Sequence, residues 1–180
     1  MPRTEPVVPD AVVFGAVVAV ITDVGPARLT LSRIGARAGL TAGALVQRFG
    51  SKRGLLDAFA AQSRANVRDV FAAAAGRHPA DPWGAAVEAL VAISETVAGP
   101  QAFAHHLAWF ALELADPDLR PYATGHAAAV HSELAALLGD PAAARHLRAV
   151  HQGAMVVWAL DPSEPLADSV RRELGATRRP

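Results

Sequence analysis

The sequence predicts an all-α protein of about nine helices, with a small N-terminal helix-turn-helix domain of three helices and a larger helical domain after it. Three observations carry the prediction. Gly and Pro recur at intervals of roughly 15 to 25 residues, the segments between them hold apolar residues at three- and four-residue spacing, and Ser, Thr or Asp stands where several of those segments begin. At 180 residues, 52% of them hydrophobic and 19% charged, the chain can bury one ordinary core or a small domain packed on a larger one. Such a composition excludes a disordered chain. The absence of cysteine excludes disulfides, thiolate metal sites and cysteine nucleophiles, and suits a reducing compartment.

The first helix is expected between Asp10 and Gly25. Its run AVVFGAVVAVI has the valines of a buried strand, but it is longer than most strands, Pro9 and Asp10 offer an N-cap, and Gly25-Pro26 stops it. A short helix from Leu31 to Ala38 places Leu31, Ile34 and Ala38 on one face, with Thr30 as its cap. Gly39 supplies a left-handed turn, Thr41 caps a second short helix ending near Phe49, and Gly50 closes it. Ser51 caps the next helix, of about 25 residues, with Leu56, Phe59, Ser63, Val67, Val70 and Ala74 in one stripe before the break at Gly76 and Pro79. Further helices are expected over Pro82–Ala98, Gln101–Ala115, Asp118–Leu138, Pro141–Leu160 and Glu164–Leu174. Asp-Pro recurs at Asp81, Asp116, Asp140 and Asp161, where Asp can cap and Pro can occupy the first turn, and Gly125 is a place for a kink or a split. The domain boundary is expected at residue 50, giving domains over 1–50 and 51–180 joined by the helix of about 51 to 77.

Charge singles out the first domain. The 17 Lys and Arg balance the 17 Asp and Glu, yet between Arg28 and Arg53 stand six cations, Arg28, Arg33, Arg37, Arg48, Lys52 and Arg53, and no acid. On the second short helix Leu45 and Phe49 must face inward, so Gly43 and Gln47 point away, flanked by Ala44, Val46 and Arg48. The small residues allow close approach to a groove, and Gln47 and Arg48 can reach base edges or phosphates. Lys52 and Arg53 occupy a first helical turn, where the helix dipole favours acids; a DNA phosphate held by the free N–H groups resolves that conflict. Arg28 and Arg33 are further phosphate contacts by charge and location, and Arg37 has two open readings, phosphate contact or solvated charge.

The stretch from Leu29 to Leu56, LTLSRIGARAGLTAGALVQRFGSKRGLL, closely resembles the DNA-binding domain of TetR-type transcriptional regulators. Thr30, Ile34, Ala38, Gly39, Leu40, Thr41, Leu45, Phe49, Ser51, Lys52, Leu55 and Leu56 carry the resemblance at fixed spacing. Val46 stands where the family usually has Tyr, Arg48 where it often has His, and Gly35 where it usually has Ala. The resemblance implies that Thr30, Thr41 and Lys52 position the domain on the DNA backbone, while Gly43, Ala44, Val46, Gln47 and Arg48 lie in or beside the major groove. It implies a palindromic double-stranded DNA operator, a small-molecule effector bound by the second domain, a homodimer, and a repressor that the effector releases. The operator sequence does not carry over, given the two departures on the reading helix.

In the second domain, Phe103, His106, Leu107 and Phe110 share one side of a helix with Trp109 beside them, and Met155 and Trp158 can close a cavity from a later helix. These are the candidate pocket residues, against the alternative that the aromatic stripe is plain core. Leu147, Val150, Ala154, Val157 and Trp158 form a stripe on one of the last two helices, with Gly153 and Ala154 small enough for close approach; Leu166, Val170 and Leu174 form a stripe on the other. They are expected to form the dimer interface, the alternative being that the two faces meet within one chain.

The seven histidines give no metal site, since adjacent side chains diverge and a spacing of five misses the i, i+4 geometry. No Gly-rich phosphate loop, G-x-S-x-G or H-E-x-x-H occurs, and no paired carboxylates stand at helical spacing, so no enzyme and no cofactor are expected. The longest apolar run, Ala11 to Ile21, falls short of the roughly 18 residues that cross a bilayer, and no signal peptide is read, so a cytoplasmic protein without membrane association is expected. The rival expectation is a helical small-molecule carrier or enzyme that kept the fold without the DNA function.

Overall fold

The computed structural model describes residues 8–97 and 99–178, and among them every regular element is helical. Helix α1 (Asp10–Val24) buries Val13, Phe14, Ala16, Val17, Val20 and Ile21, the three- and four-residue spacing of a helix and not the alternation of a strand. Pro9 is its N-cap and Asp10 its first residue, with no side-chain cap bond. Gly25, at φ 80°, ends it and leads into a single 3₁₀ turn, Pro26–Arg28.

The next three helices begin on the caps the sequence offers. Thr30 caps α2 (Leu31–Ala38) by accepting from the Arg33 N–H at 3.3 Å, Thr41 caps α3 (Ala42–Phe49) by accepting from Ala44 at 3.1 Å, and Ser51 caps α4 (Lys52–Arg77) by accepting from Gly54 at 3.0 Å. Gly39 adopts the left-handed conformation, φ 71°, that turns α2 into α3. A first core gathers Val13, Val17, Ile34, Leu45, Leu55 and Ala60, and it draws in Trp109 and Tyr122 from later helices. Full burial of each aliphatic side chain such as Leu45 or Leu55 contributes about 2 kcal/mol.

The remaining chain forms α5 (Pro82–Ser94), α6 (Pro100–Ala115), α7 (Arg120–Leu138), α8 (Pro141–Leu160) and α9 (Leu166–Ala176). Helix α5 stops at Ser94, short of the expected Ala98, which itself lies outside the described residues. The four Asp-Pro pairs divide: Asp140 caps α8 by accepting from the Ala142 N–H at 2.7 Å and Asp81 stands at the N-cap of α5, whereas Asp116 and Asp161 stand at C-termini, of α6 and α8. Gly125 neither kinks nor splits α7; an added Cβ there would lie 3.2 Å from Arg64 Cδ, so the glycine admits the α4 side chain against α7.

A second core joins Val67, Phe71, Ala74, Leu90, Phe103, Leu134, Leu147, Met155, Trp158, Val170 and Leu174. Helix α4 therefore serves both cores, its first turns holding Leu55 and Leu56 in the first and its later turns holding Val67 and Phe71 in the second. It packs along α5 and α7.

Candidate functional site

On α3, Leu45 is fully buried and Phe49 packs at 6.1 Å from the Phe14 ring, which leaves Gly43, Val46 and Gln47 exposed and Ala44 half-buried. The backbone around this face is held by two close approaches. A Cβ on Gly35 would lie 2.6 Å from Leu40 O and one on Gly54 would lie 2.1 Å from Phe49 O. Gly35 thus closes the turn between α2 and α3, which gives its low helix propensity a compensating role, and Gly54 seats the start of α4 on the end of α3.

The six cations fall into two groups. Arg37 pairs with Asp23 at 2.7 Å across an exposed surface, so its charge is answered by α1. Arg53 reaches Asp57 at 3.3 Å and Asp118 at 4.0 Å, and its guanidinium lies 5.3 Å from the Tyr122 ring centre. Tyr122 donates its hydroxyl to Asp57 at 2.7 Å; that bond, with Arg53, holds the Asp57 carboxyl below its ordinary value, while burial and the same carboxylate push the tyrosine up to about 12. Arg48 pairs with Asp10, donates to Val8 O and lies over the Phe49 ring. The guanidinium expected to read bases is therefore tied back to the start of α1, and sequence reasoning missed this because Asp10 is far away in the chain. Among the described residues, Arg28, Arg33 and Lys52 form no salt bridge, and all three are exposed.

A short capped helix with an exposed small-residue and Gln face, together with three cations that form no salt bridge among the described residues, is compatible in size and charge with a DNA groove. Residues 15–59 match the family model described as bacterial regulatory proteins, tetR family. Over those residues the chain resembles the TetR family. Similar solved structures span nearly the whole of it. A TetR-family transcriptional regulator from Streptomyces coelicolor is 24% identical with a TM-score of 0.68, covering 92% of each chain. A second member of the family, from Streptomyces coelicolor A3, is 25% identical with a TM-score of 0.63 and covers 92% of this chain and 95% of its own. The multidrug binding protein EbrR, complexed with malachite green, is 25% identical with a TM-score of 0.63 and covers 97% and 98%. Among curated proteins no match is found. The fold is that of a DNA-binding transcriptional regulator, and among the described residues no helix is long and apolar enough to cross a membrane.

Beyond that segment the residues expected to line one pocket are dispersed. Phe103 is buried in the second core and stacks at 6.3 Å on His106, but Trp109 points into the first core; Leu107 and Phe110 are exposed, and Met155 and Trp158 are buried as core. The expected dimer residues are corrected in the same way. Leu147, Ala154, Leu166, Val170 and Leu174 are all buried within the one chain, where α8 and α9 pack on α5 and α7, so they offer no surface to a second copy; Val150 is half-buried. Only Val157, 66% exposed, stays outward, joined on α8 by Val156 and by Leu160 at 83%.

The sequence reading passed over the polar groups on the inner faces. His126 accepts from or donates to Ser63 at 3.2 Å, and His151 Nε2 meets Ser94 Oγ at 2.7 Å. Glu113 is buried with no salt bridge among the described residues, and burial pushes its carboxyl up to about 7. A signal for them exists in the sequence: His126 is four residues from Tyr122 and Val130, and His151 four from Leu147 and Met155, all buried positions.

Proposed function

We propose that the protein is a homodimeric transcriptional repressor that a small-molecule effector releases from a palindromic operator. The observation that carries the DNA-contact assignment is the set of unpaired cations, Arg28, Arg33 and Lys52, around the exposed Gly43, Val46 and Gln47 and the half-buried Ala44 of the capped helix α3. Thr30, Thr41 and Lys52 hold the DNA backbone, with Arg28 and Arg33 adding phosphate contacts. Gln47 hydrogen-bonds base edges and Val46 meets a thymine methyl in the major groove. Arg48 acts indirectly, by fixing the start of α1 against the end of α3.

Two copies related by a two-fold axis present their α3 helices to successive major grooves, about 34 to 36 Å apart. The second copy covers the exposed apolar face of α8, where Ala149, Gly153, Val156, Val157 and Leu160 share one side and nothing lies within 4 Å of where a Gly153 Cβ would stand. The effector site lies in the helical domain, as the dye complex of the similar EbrR supports.

The test is a mobility shift of the purified protein on DNA from upstream of its own gene. Binding should weaken steeply with salt, and Lys52→Ala should reduce both the affinity and the salt dependence. If Lys52→Ala and Gln47→Ala together left binding unchanged, the reading face would be assigned wrongly. Light scattering on wild type and Leu160→Asp tests the dimer, which the substitution should dissociate.

A further inference from the structure

Where α4, α7 and α8 meet, an exposed Arg64 and a half-buried Arg148 flank the half-buried His126, and neither guanidinium is paired with an acid among the described residues. Ser63 and Arg64 of α4 face Gly125 and His126 of α7: Ser63 meets His126 at 3.2 Å, and Arg64 lies across the space a Gly125 side chain would fill. From the other side Arg148 of α8 donates to the Ala127 carbonyl at 3.0 Å. His126 is thus bracketed by guanidiniums held at the residues before and after it. Among the described residues neither Arg64 nor Arg148 forms a salt bridge.

Two more imidazoles complete the cluster. Ser94 of α5 donates its hydroxyl to Leu90 O at 2.9 Å, so in its contact with His151 of α8 it accepts, and His151 carries its proton on Nε2. Nδ1 of His151 is left without that proton. His106 of α6 is exposed, and the protein packed around it pushes its pKa down. Burial lowers His126 as well, and His106, Arg148 and Arg64 lower it further; burial takes His151 down to about 4, with Arg148 and His106 adding to the shift. Arg148 and His106 thus act on both His126 and His151, whereas His106 itself is lowered by burial alone. Among the described residues, no group of three or more His, Asp and Glu side chains could hold a metal ion.

From this geometry we infer that the cluster binds the carboxylate of a small organic acid, seated between Arg64 and Arg148 against His126, with the acid's apolar body along the exposed Leu107 and Phe110 of α6. The two guanidiniums supply fixed charge at neutral pH and planar donors matched to a carboxylate. The anion restores basicity that burial has removed from His106 and that burial and like charge have removed from His126 and His151, so binding draws protons from solution and strengthens as pH falls from about 8 to about 6.

The inference rests on the reading of this domain as an effector domain, and it is measured without DNA. Salicylate and octanoate, with salicylamide and octanol as neutral partners and malachite green as a cation, are titrated into the full-length protein by calorimetry and thermal denaturation. The acids should raise Tm and bind with a heat that depends on the buffer's ionisation, while their neutral partners bind about tenfold or more weakly. Arg64→Met with Arg148→Met should abolish the preference for the acids; His126→Asn, which keeps a partner for Ser63, should weaken it and covers the case in which the double variant fails to fold. Equal binding of the neutral partners, tighter binding of the dye, no proton uptake, or no binding of either acid at millimolar concentration overturns the inference. Acid binding that leaves an operator complex intact would keep the inference and remove the release mechanism alone.

Discussion

The reading head and the histidine cluster both concentrate positive charge, and they treat it in opposite ways. In the head, Arg37, Arg48 and Arg53 are answered by Asp23, Asp10 and Asp57 at the surface, and Arg28, Arg33 and Lys52 are left to solvent. In the cluster, burial holds the imidazoles neutral and the two guanidiniums keep their charge without an acid. A surface pays little for an unpaired cation, so the unpaired set in the head is informative through its arrangement around α3. Arg148 is half-buried and Arg64 exposed, so these two are informative through their convergence on His126 from α8 and α4 and not through burial.

The sharpest way to break this comparison is to remove the two sets in the head separately. Arg28→Ala, Arg33→Ala and Lys52→Ala together should lower operator affinity about 100-fold and reduce the slope of log affinity against log salt by about three, as measured by fluorescence anisotropy. The set Arg37→Ala and Arg53→Ala should change that slope by less than about one, because those charges are already balanced. Next in size, Gly54→Ala should destabilise the fold by about 2 kcal/mol in urea denaturation, since a Cβ meets Phe49 O and backbone must move. A gain in stability from the better helix former would show that the α3–α4 junction yields.

The interior half of the comparison is tested by pH. The folded pKa of His151, about 4, lies below its ordinary 6.5, so the unfolded chain binds more protons between those values and His151 makes stability fall on acidification. Glu113, at about 7 when folded against an ordinary 4.5, binds more protons in the folded chain and makes stability rise on acidification over nearly the same window. The two oppose each other. Glu113→Gln should therefore steepen the loss of stability from pH 6.5 to 4.5, and His151→Gln should weaken or reverse it. The smallest effect expected is a coupling of about 0.5 kcal/mol between Arg48→Ala and Asp10→Ala in a double-mutant cycle, the size of an exposed pair.

Most of the fold was legible because its boundaries are local. Thr30, Thr41, Ser51 and Asp140 act as caps on neighbours two or three residues away, and Gly39 turns the chain by its own φ, so a short window of sequence contains both partners of each interaction. The exposed face of α3 followed from Leu45 and Phe49 in the same way. What was not legible depends on partners distant in the chain. Arg48 looked free until Asp10 stood beside it, and Asp116 and Asp161 looked like N-caps because Asp-Pro suits either side of a helix end. The stripes of α8 and α9 were read correctly as apolar, but periodicity alone does not say whether a stripe faces its own chain or a copy, and most of these residues face their own chain.

The glycine at position 54 has a mechanical consequence. With no room for even a methyl group between α4 and the end of α3, the two helices move as one piece. Helix α4 runs 26 residues, about 39 Å, and its far half is embedded in the second core. A tilt of about 5° about Phe71 carries Lys52, and α3 with it, through about 2.5 Å. In the proposed two-fold pair the displacements would add to about 5 Å, more than the roughly 3.4 Å rise of one base pair. A lever of this length would turn a side-chain-sized adjustment near Phe71 into a change of spacing between the two α3 helices larger than one base-pair step.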